Sequence, residues 1–280
     1  MKDNKKHKKA EYGILITGLI ILLAVACIIA LCAGQYSVSV PEVTKILASR
    51  FVNVTKTWSN TAEGVVFTLR LPRIIGAVLV GSALSLSGAA YQGVFKNPLV
   101  APDLLGVSSG ACVGASVAIL LHLNSFGVQA MAFVAGILAV GLTLFIPRLI
   151  KNTNMTMLVL SGIIVKGIMD SVMGIIKYVA DPETELQSIT YWQLGSLTKV
   201  LPKGLFTVGP VIVAASVIIF LLRWRINILS LGDREAKTLG VSVTVVRNFI
   251  IICATLLTAS AVCISGTIGW IGLVIPHFAR

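Results

Sequence analysis

Two ionisable residues, Lys166 and Asp170, lie well inside a long apolar run of this 280-residue chain. They are four positions apart, so a helix would place them on one face, and Lys177 continues the same stripe. A charge in hydrocarbon is costly, so such groups face a water-filled cavity, pair with one another or relay ions. The spacing leaves two interpretations open, a polar path through a membrane or a mutually neutralising structural pair.

A second pair of charges, Arg70 and Arg73, stands three positions apart just before another apolar run. Two guanidinium groups at this spacing lie on one side of a helix, where they can form forked hydrogen bonds with the carboxylates of a partner. The alternative is that both side chains extend toward the membrane–water interface.

Residues 223–247 carry many charges between two apolar runs and include a short helical pattern with Leu231, Ala236 and Leu239 on an apolar face. Such a helix, bounded by glycine at each end, is suited to insertion into a groove on a partner. A solvated loop would have a similar composition. The candidate contact residues are Leu231, Gly232, Asp233, Ala236, Leu239 and Gly240.

Several functional classes have no support in the sequence. No Gly-x-x-x-x-Gly-Lys-Ser/Thr phosphate loop occurs, so ATP hydrolysis would require another subunit. No two catalytic groups stand at a sensible helical spacing, which argues against an enzyme. The three histidines have no partner at ligand spacing, so neither a metal site nor a cofactor is expected. The five cysteines lie in or beside apolar runs and predict no disulfide framework.

The elements that position these residues are apolar helices. The chain is 56% hydrophobic and 12% charged, with a mean hydropathy of +0.93, whereas a soluble domain is about 25% charged. Crossing a bilayer core of about 30 Å takes about 20 apolar residues. Seven runs are long enough, residues 13–33, 74–91, 104–121, 127–146, 157–176, 205–222 and 249–264. An eighth run, residues 267–275, is too short to cross alone.

We therefore predict an all-α polytopic membrane protein, a multi-span helical bundle with about eight membrane segments. Residues 1–12 form a basic tail, which we expect to be attracted to anionic lipid at the cytoplasmic surface. The pattern of its residues does not indicate nucleic-acid binding. With the amino terminus inside, 14 of the 23 basic residues fall on the inner side and eight on the outer side, which supports that orientation. Outside the membrane, Pro41 begins a predicted amphipathic helix with Val43, Ile46 and Leu47 on its apolar face.

Several short motifs follow one another along the chain. They are Leu69-Arg-Leu-Pro-Arg73, Gly81-Ser-Ala-Leu-Ser-Leu-Ser-Gly88, Asn97-Pro-Leu99, Trp192-Gln-Leu-Gly-Ser-Leu197, Leu231-Gly-Asp-Arg-Glu-Ala-Lys-Thr-Leu-Gly240 and Ser265-Gly-Thr-Ile-Gly-Trp-Ile-Gly-Leu-Val-Ile-Pro-His277. In these motifs and in their order the chain resembles the FecCD-type permeases, which import iron siderophores, haem and cobalamin across the cytoplasmic membrane.

The resemblance implies a type II ABC importer permease that works as a homo- or heterodimer with cytoplasmic ATPase subunits. It implies docking of an extracellular or periplasmic substrate-binding protein through Arg70 and Arg73, and an ATPase-coupling segment at about residues 229–243. Lys166 and Asp170 would line the translocation path. A cytoplasmic gate would lie at Asn152, Thr153, Asn154 and Thr156.

The resemblance predicts one permease domain over residues 13–280. Family members have ten membrane segments, so we expect this sequence, which ends at Arg280, to lack the last two. A competing hypothesis is an ion-coupled secondary transporter that uses Lys166 and Asp170 as a relay. The sequence does not distinguish siderophore, haem and cobalamin, and we take the iron siderophore as the substrate to test first.

Overall fold

The computed structural model describes residues 2–152 and 154–279, with side chains from residue 11 onward. All regular elements in these residues are helical, which confirms the predicted all-α class. The α-helices are α1 Lys2–Cys32, α2 Val40–Ala48, α3 Asn60–Gly64, α4 Leu71–Phe95, α5 Val107–Leu120, α6 Ser125–Leu149, α7 Met155–Val179, α8 Glu185–Leu194, α9 Pro202–Leu221, α10 Arg223–Leu231, α11 Asp233–Thr238, α12 Val243–Ser265 and α13 Ile271–Phe278.

The chain divides into two compact units, Met1–Ile75 and Gly76–Arg280. In the first unit, α1 is a single helix in which the basic tail runs directly into the first apolar run. The predicted amphipathic helix is confirmed as α2, which has Pro41 in its first turn. Its Val43 and Ile46 are buried in a small apolar cluster with Trp58 and Val66.

The second unit is organised around α12, which is the most buried of the long apolar helices. Helices α5 and α6 pack closely because two glycines of α5 face α6. A Cβ atom added to Gly110 would lie 2.5 Å from the Cβ atom of Ala139, and one added to Gly114 would lie 2.3 Å from the carbonyl oxygen of Met131. Small residues thus bring these two backbones together, as in other membrane bundles.

Six helical segments in the described residues are long and apolar enough to cross a membrane. The prediction of a third span over residues 104–121 was too long, because α5 covers only Val107–Leu120. A 3₁₀ turn at Pro102–Leu105 and a left-handed Gly106, with φ of 81°, separate the preceding residues from the helix. Only residues 271–275 of the short eighth run are helical, as the first part of α13, a helix of 8 residues.

The second span begins earlier than its hydropathy indicates. Helix α3 continues through a π-helical stretch, Val65–Arg70, directly into α4, so the helical segment runs from Asn60 to Phe95. The sequence predicted an apolar start at Ile74. The first turns of this segment contain polar residues, which is why hydropathy alone did not include them.

Candidate functional site

The α10–α11 segment, residues 223–240, has one buried side and one exposed side. Ile228, Leu229 and Ala236 are buried in the main core, whereas Leu231 is 68% exposed and Leu239 is 60% exposed. The predicted apolar face is therefore wrong in one respect, because Ala236 packs inward and does not share a surface with the two leucines. The remaining exposed leucines stand at the ends of α10 and α11.

Gly240 ends this segment in a left-handed conformation with φ of 76°. Its backbone N–H donates to the carbonyl oxygen of Lys237, and a Cβ atom added to it would meet no atom within 4 Å. The glycine is required for the turn and stands on open surface. A side chain at residue 240 would consequently project outward without disturbing the interior.

Asp233, the first residue of α11, binds two basic side chains, one from α12 and one from the residue that follows α4. Its Oδ1 atom accepts a hydrogen bond of 2.8 Å from Lys96 Nζ, and both carboxylate oxygens lie 2.8 Å from Arg247 Nη2. Lys96 directly follows α4, and Arg247 lies in the first turns of α12. We call Lys96, Asp233 and Arg247 the ion clamp, because one carboxylate holds both basic side chains.

The ion clamp also changes the acidity of its carboxyl group. Hydrogen bonds from Arg247 and then from Lys96 stabilise the ionised form and hold the pKa of Asp233 below its usual value. The Arg247 side chain is only 12% exposed, while that of Asp233 is 46% exposed. The carboxylate is therefore ionised at neutral pH and is partly screened by solvent.

Lys166 and Asp170 line a polar cavity of about 300 Å³ in the second unit. Lys166 Nζ lies 3.4 Å from Asp103 Oδ2, so its ion partner is Asp103 and not Asp170. Asp170 has no cationic partner within 4 Å among the described residues. Lys177, which continues the stripe, donates instead to Gln193 Oε1 at 2.6 Å. The interpretation of Lys166 and Asp170 as a mutually neutralising pair does not match this geometry.

The two arginines of the first unit differ sharply in their surroundings. Arg70 is buried, and its guanidinium group donates to the backbone carbonyl oxygens of Leu31, at 2.6 Å, of Cys32, at 3.1 Å, and of Tyr36. These contacts satisfy carbonyl groups at and just beyond the end of α1, where no intrahelical donor is available. Arg73 is exposed.

Of the predicted gate residues, Asn152 and Asn154 lie between α6 and α7, and Thr156 lies in the first turn of α7. Asn152, Asn154 and Thr156 are exposed, and Asn152 Oδ1 accepts a hydrogen bond of 3.3 Å from the backbone N–H of Asn154. Thr153 lies outside the described residues. Asn152 and Asn154 thus contribute polar side chains to the short connection between two long apolar helices.

Sequence reasoning did not select Lys96, Asp103 or Arg247. Each is the ion partner of a residue that was selected, but the partners are 14 to 137 positions apart in the chain. One weak signal existed for Asp103, because it is an acidic residue directly before an apolar run. Separations this large fit no local helical rule, so spacing could not reveal them.

The profile of the FecCD transport family matches residues 22–280. The chain belongs to this family. This FecCD chain is 36% identical over 271 residues to the molybdate import system permease protein MolB of Haemophilus influenzae. The aligned residues are 96% of this chain and 80% of the relative. It is 41% identical over 216 residues to an iron chelatin transport system permease protein of Helicobacter pylori, across 77% of this chain and 65% of the relative.

A solved structure described as a metal-chelate type ABC transporter in an inward-facing conformation has a TM-score of 0.84 to this chain at 34% identity. The match covers 96% of this chain and 81% of the other. The FecCD chain is thus a multi-pass membrane permease of the ABC importer class, in line with the prediction of a transport subunit. Molybdate, named for one relative, was not among the three substrates that the sequence motifs implied.

Proposed function

We propose that this FecCD permease is the membrane-spanning subunit of an ATP-driven importer that moves an iron siderophore across the cytoplasmic membrane. Haem and cobalamin belong to the same class of large chelates and are the next substrates to test. A separate ATPase would supply the energy, and its closure would switch the path between outward and inward states. The observation that carries this proposal is the two-sided α10–α11 segment.

The exposed leucines of this segment supply a contact surface for the ATPase. Leu231 and Leu239 are large apolar side chains on a short connection between two membrane-spanning helices, α9 and α12. Apolar groups exposed at such a position, rimmed by charges, are typical of a protein contact. The buried side of the segment, at Leu229 and Ala236, would transmit a push on the leucines into the core.

The other partners follow from the same proposal. A second permease copy would complete the path, and the amino terminus would be cytoplasmic. An external substrate-binding protein would dock through the arginines, with Arg73 free to reach a carboxylate. Arg70 would act indirectly, because its guanidinium group already binds three carbonyl oxygens.

The charges of the polar cavity favour a neutral or cationic complex over a small oxyanion such as molybdate. Its charged lining groups are the carboxylates of Asp103 and Asp170 and the ammonium group of Lys166. Two negative charges against one positive charge repel an anion and accept a neutral or cationic complex. Molybdate is the second candidate, favoured by the similarity to the Haemophilus influenzae permease over 96% of this chain.

Uptake into vesicles that contain the permease, its ATPase and its binding protein tests both levels of the proposal. The wild-type complex should accumulate a siderophore labelled with radioactive iron only when ATP is present on the side of the membrane that holds the ATPase. Parallel assays with labelled haem, cobalamin and molybdate identify the substrate. ATP-dependent uptake of molybdate alone would overturn the chelate assignment but leave the importer intact.

A matched pair of variants tests the coupling role of the segment. Gly240→Trp places a bulky side chain on the open surface, whereas Gly240→Ala imposes the same left-handed strain, about 1 to 2 kcal/mol, without the bulk. We expect Gly240→Trp to lower ATP-dependent uptake by about tenfold or more relative to Gly240→Ala. Uptake that does not depend on ATP and is lost when an ionophore dissipates the ion gradient would support the ion-coupled transporter instead.

A further inference from the structure

The carboxylate of Asp233 joins α11 to α12 and to the end of α4. The proposed function does not by itself explain this arrangement. We infer that Asp233 is a positioning residue that makes the α10–α11 segment move together with α4 and α12. The inference rests on the proposed coupling of this segment to an ATPase. Without the ion clamp, we expect the ATPase to bind and hydrolyse ATP while the movement is not passed to the membrane helices.

The first reason is that α11 has few other attachments. It has only 6 residues, too few to be stable as an isolated helix, and Ala236 is its one buried side chain. Gly232 and Gly240 stand at its two ends. A push on Leu239 could therefore be absorbed at these glycine connections unless α11 is fixed elsewhere.

The second reason is that the ion clamp supplies such a fixed attachment. Arg247 Nη2 is 2.8 Å from each oxygen of Asp233, and Lys96 Nζ is 2.8 Å from Oδ1. Hydrogen bonds between charged groups are roughly twice as strong as neutral ones. One partner lies in α12 and the other directly follows α4, so α11 is attached to two separate parts of the second unit.

The third reason is the position of Arg247 beside the predicted gate. Arg247 lines a small cavity of about 70 Å³ together with Pro147 and Arg148 of α6 and Met155 of α7. The described gate candidates lie in the connection between α6 and α7 and in the first turn of α7. Arg247 therefore binds Asp233 and also lines a cavity with the end of α6 and the start of α7.

The test compares transport with ATP hydrolysis in the full complex. The quantity to measure is uptake per ATP hydrolysed, with whichever of ferric siderophore, haem, cobalamin and molybdate the wild type takes up. We expect Asp233→Asn, which keeps the shape but removes the charge, to assemble with the ATPase and hydrolyse ATP at about half the wild-type rate or more. Uptake per ATP should fall about fivefold or more, and Asp233→Glu should recover part of it.

Glu183→Gln is the matched control, because it makes the same chemical change at an exposed residue far along the chain from the ion clamp. It should leave uptake per ATP unchanged. Lys96→Gln removes the more exposed arm of the ion clamp and should lower the ratio by about twofold. In combination with Asp233→Asn it should cause little further loss, since both changes break the same contact.

The outcomes separate the inference from the proposed function. Wild-type uptake that does not depend on ATP would overturn the proposed function itself. ATP-dependent wild-type uptake together with an unchanged ratio in Asp233→Asn would overturn the inference alone. If Asp233→Asn does not yield a folded complex, Lys96→Gln decides, and an unchanged ratio in that variant would equally refute the role of Asp233.

Discussion

The ion clamp and the polar cavity both join a lysine to an aspartate, yet the two regions are built differently. In the ion clamp, contacts of 2.8 Å connect Asp233 to Lys96 and to a nearly buried Arg247. In the cavity, one contact of 3.4 Å connects Lys166 to Asp103, and both side chains are about a third to a half exposed. Asp170 lines the same cavity with no cation within 4 Å among the described residues.

This difference separates a charge cluster that holds helices together from one that can rearrange. A carboxylate with several short, partly shielded bonds is expensive to release. A long, solvated pair contributes little to stability and can exchange its partners for water or for a passing ligand. The first arrangement suits the transmission of movement, and the second suits a path.

The largest effect on stability should come from Arg247→Met. Methionine keeps an apolar stem but removes the group that binds both oxygens of Asp233. Loss of a buried ion partner costs about 3 to 5 kcal/mol. The half-exposed Asp233 retains Lys96 and solvent, so we expect a loss of about 1 to 2 kcal/mol.

Thermal unfolding of the detergent-solubilised permease measures this effect. Lys203→Met, at an exposed residue, is the control for removal of a basic group. An Arg247→Met midpoint equal to that of the control would show that the ion clamp contributes no more to stability than an exposed basic residue.

The next effect is a pH dependence that belongs to Asp233. Its folded pKa lies below the unfolded value of about 3.9, so ionisation stabilises the fold above that value. The contribution is lost as the pH falls through the folded pKa. The stability difference between wild type and Asp233→Asn should be constant from about pH 7 to about pH 5 and should shrink below about pH 4.

Unfolding midpoints of both proteins across this range provide the measurement. A difference that is already shrinking near neutral pH would mean that Asp233 is not held in its ionised form by the two basic residues.

A smaller effect is expected for Lys166→Met. The contact with Asp103 is long and solvated, so its removal should change the free energy of unfolding by at most about 0.5 kcal/mol. The same thermal assay applies, with Arg247→Met as the internal reference. A loss as large as that of Arg247→Met would erase the distinction between the two regions.

Asp170→Asn should have the smallest effect on stability and a measurable effect on transport. Since Asp170 has no ion partner within 4 Å in the described structure, its unfolding midpoint should stay within about 1 °C of wild type. As a path-lining carboxylate in the proposed function, it should lower uptake by about threefold or more when neutralised. Normal uptake in this variant would remove Asp170 from the proposed path.

The predictability of each region followed from the range of the interactions involved. Pro41 and the spacing of Val43 and Ile46 predicted α2, because helix initiation and amphipathic burial depend on neighbouring residues. The third span was predicted too long, because hydropathy does not register the left-handed turn at Gly106 that delays α5.

The candidate site was predictable in its parts but not in its connections. The motif from Leu231 to Gly240 identified the α10–α11 segment. Ala236 and Leu239 are both apolar, yet Ala236 is buried and Leu239 is exposed. Hydrophobicity cannot make that choice, since it depends on which neighbouring helix covers each side. Arg70 likewise looked equivalent to Arg73 until the carbonyl groups at the end of α1 proved to be its partners.

The sequence by itself determined that this protein resides in a membrane and that it resembles FecCD permeases. Both follow from local properties, the length of apolar runs and the order of short motifs. Only the tertiary structure decided which charges meet. Lys166 and Asp103 are 63 positions apart in the chain, and Asp233 and Lys96 are 137 positions apart. Residues so far apart come into contact only when the helices between them have packed.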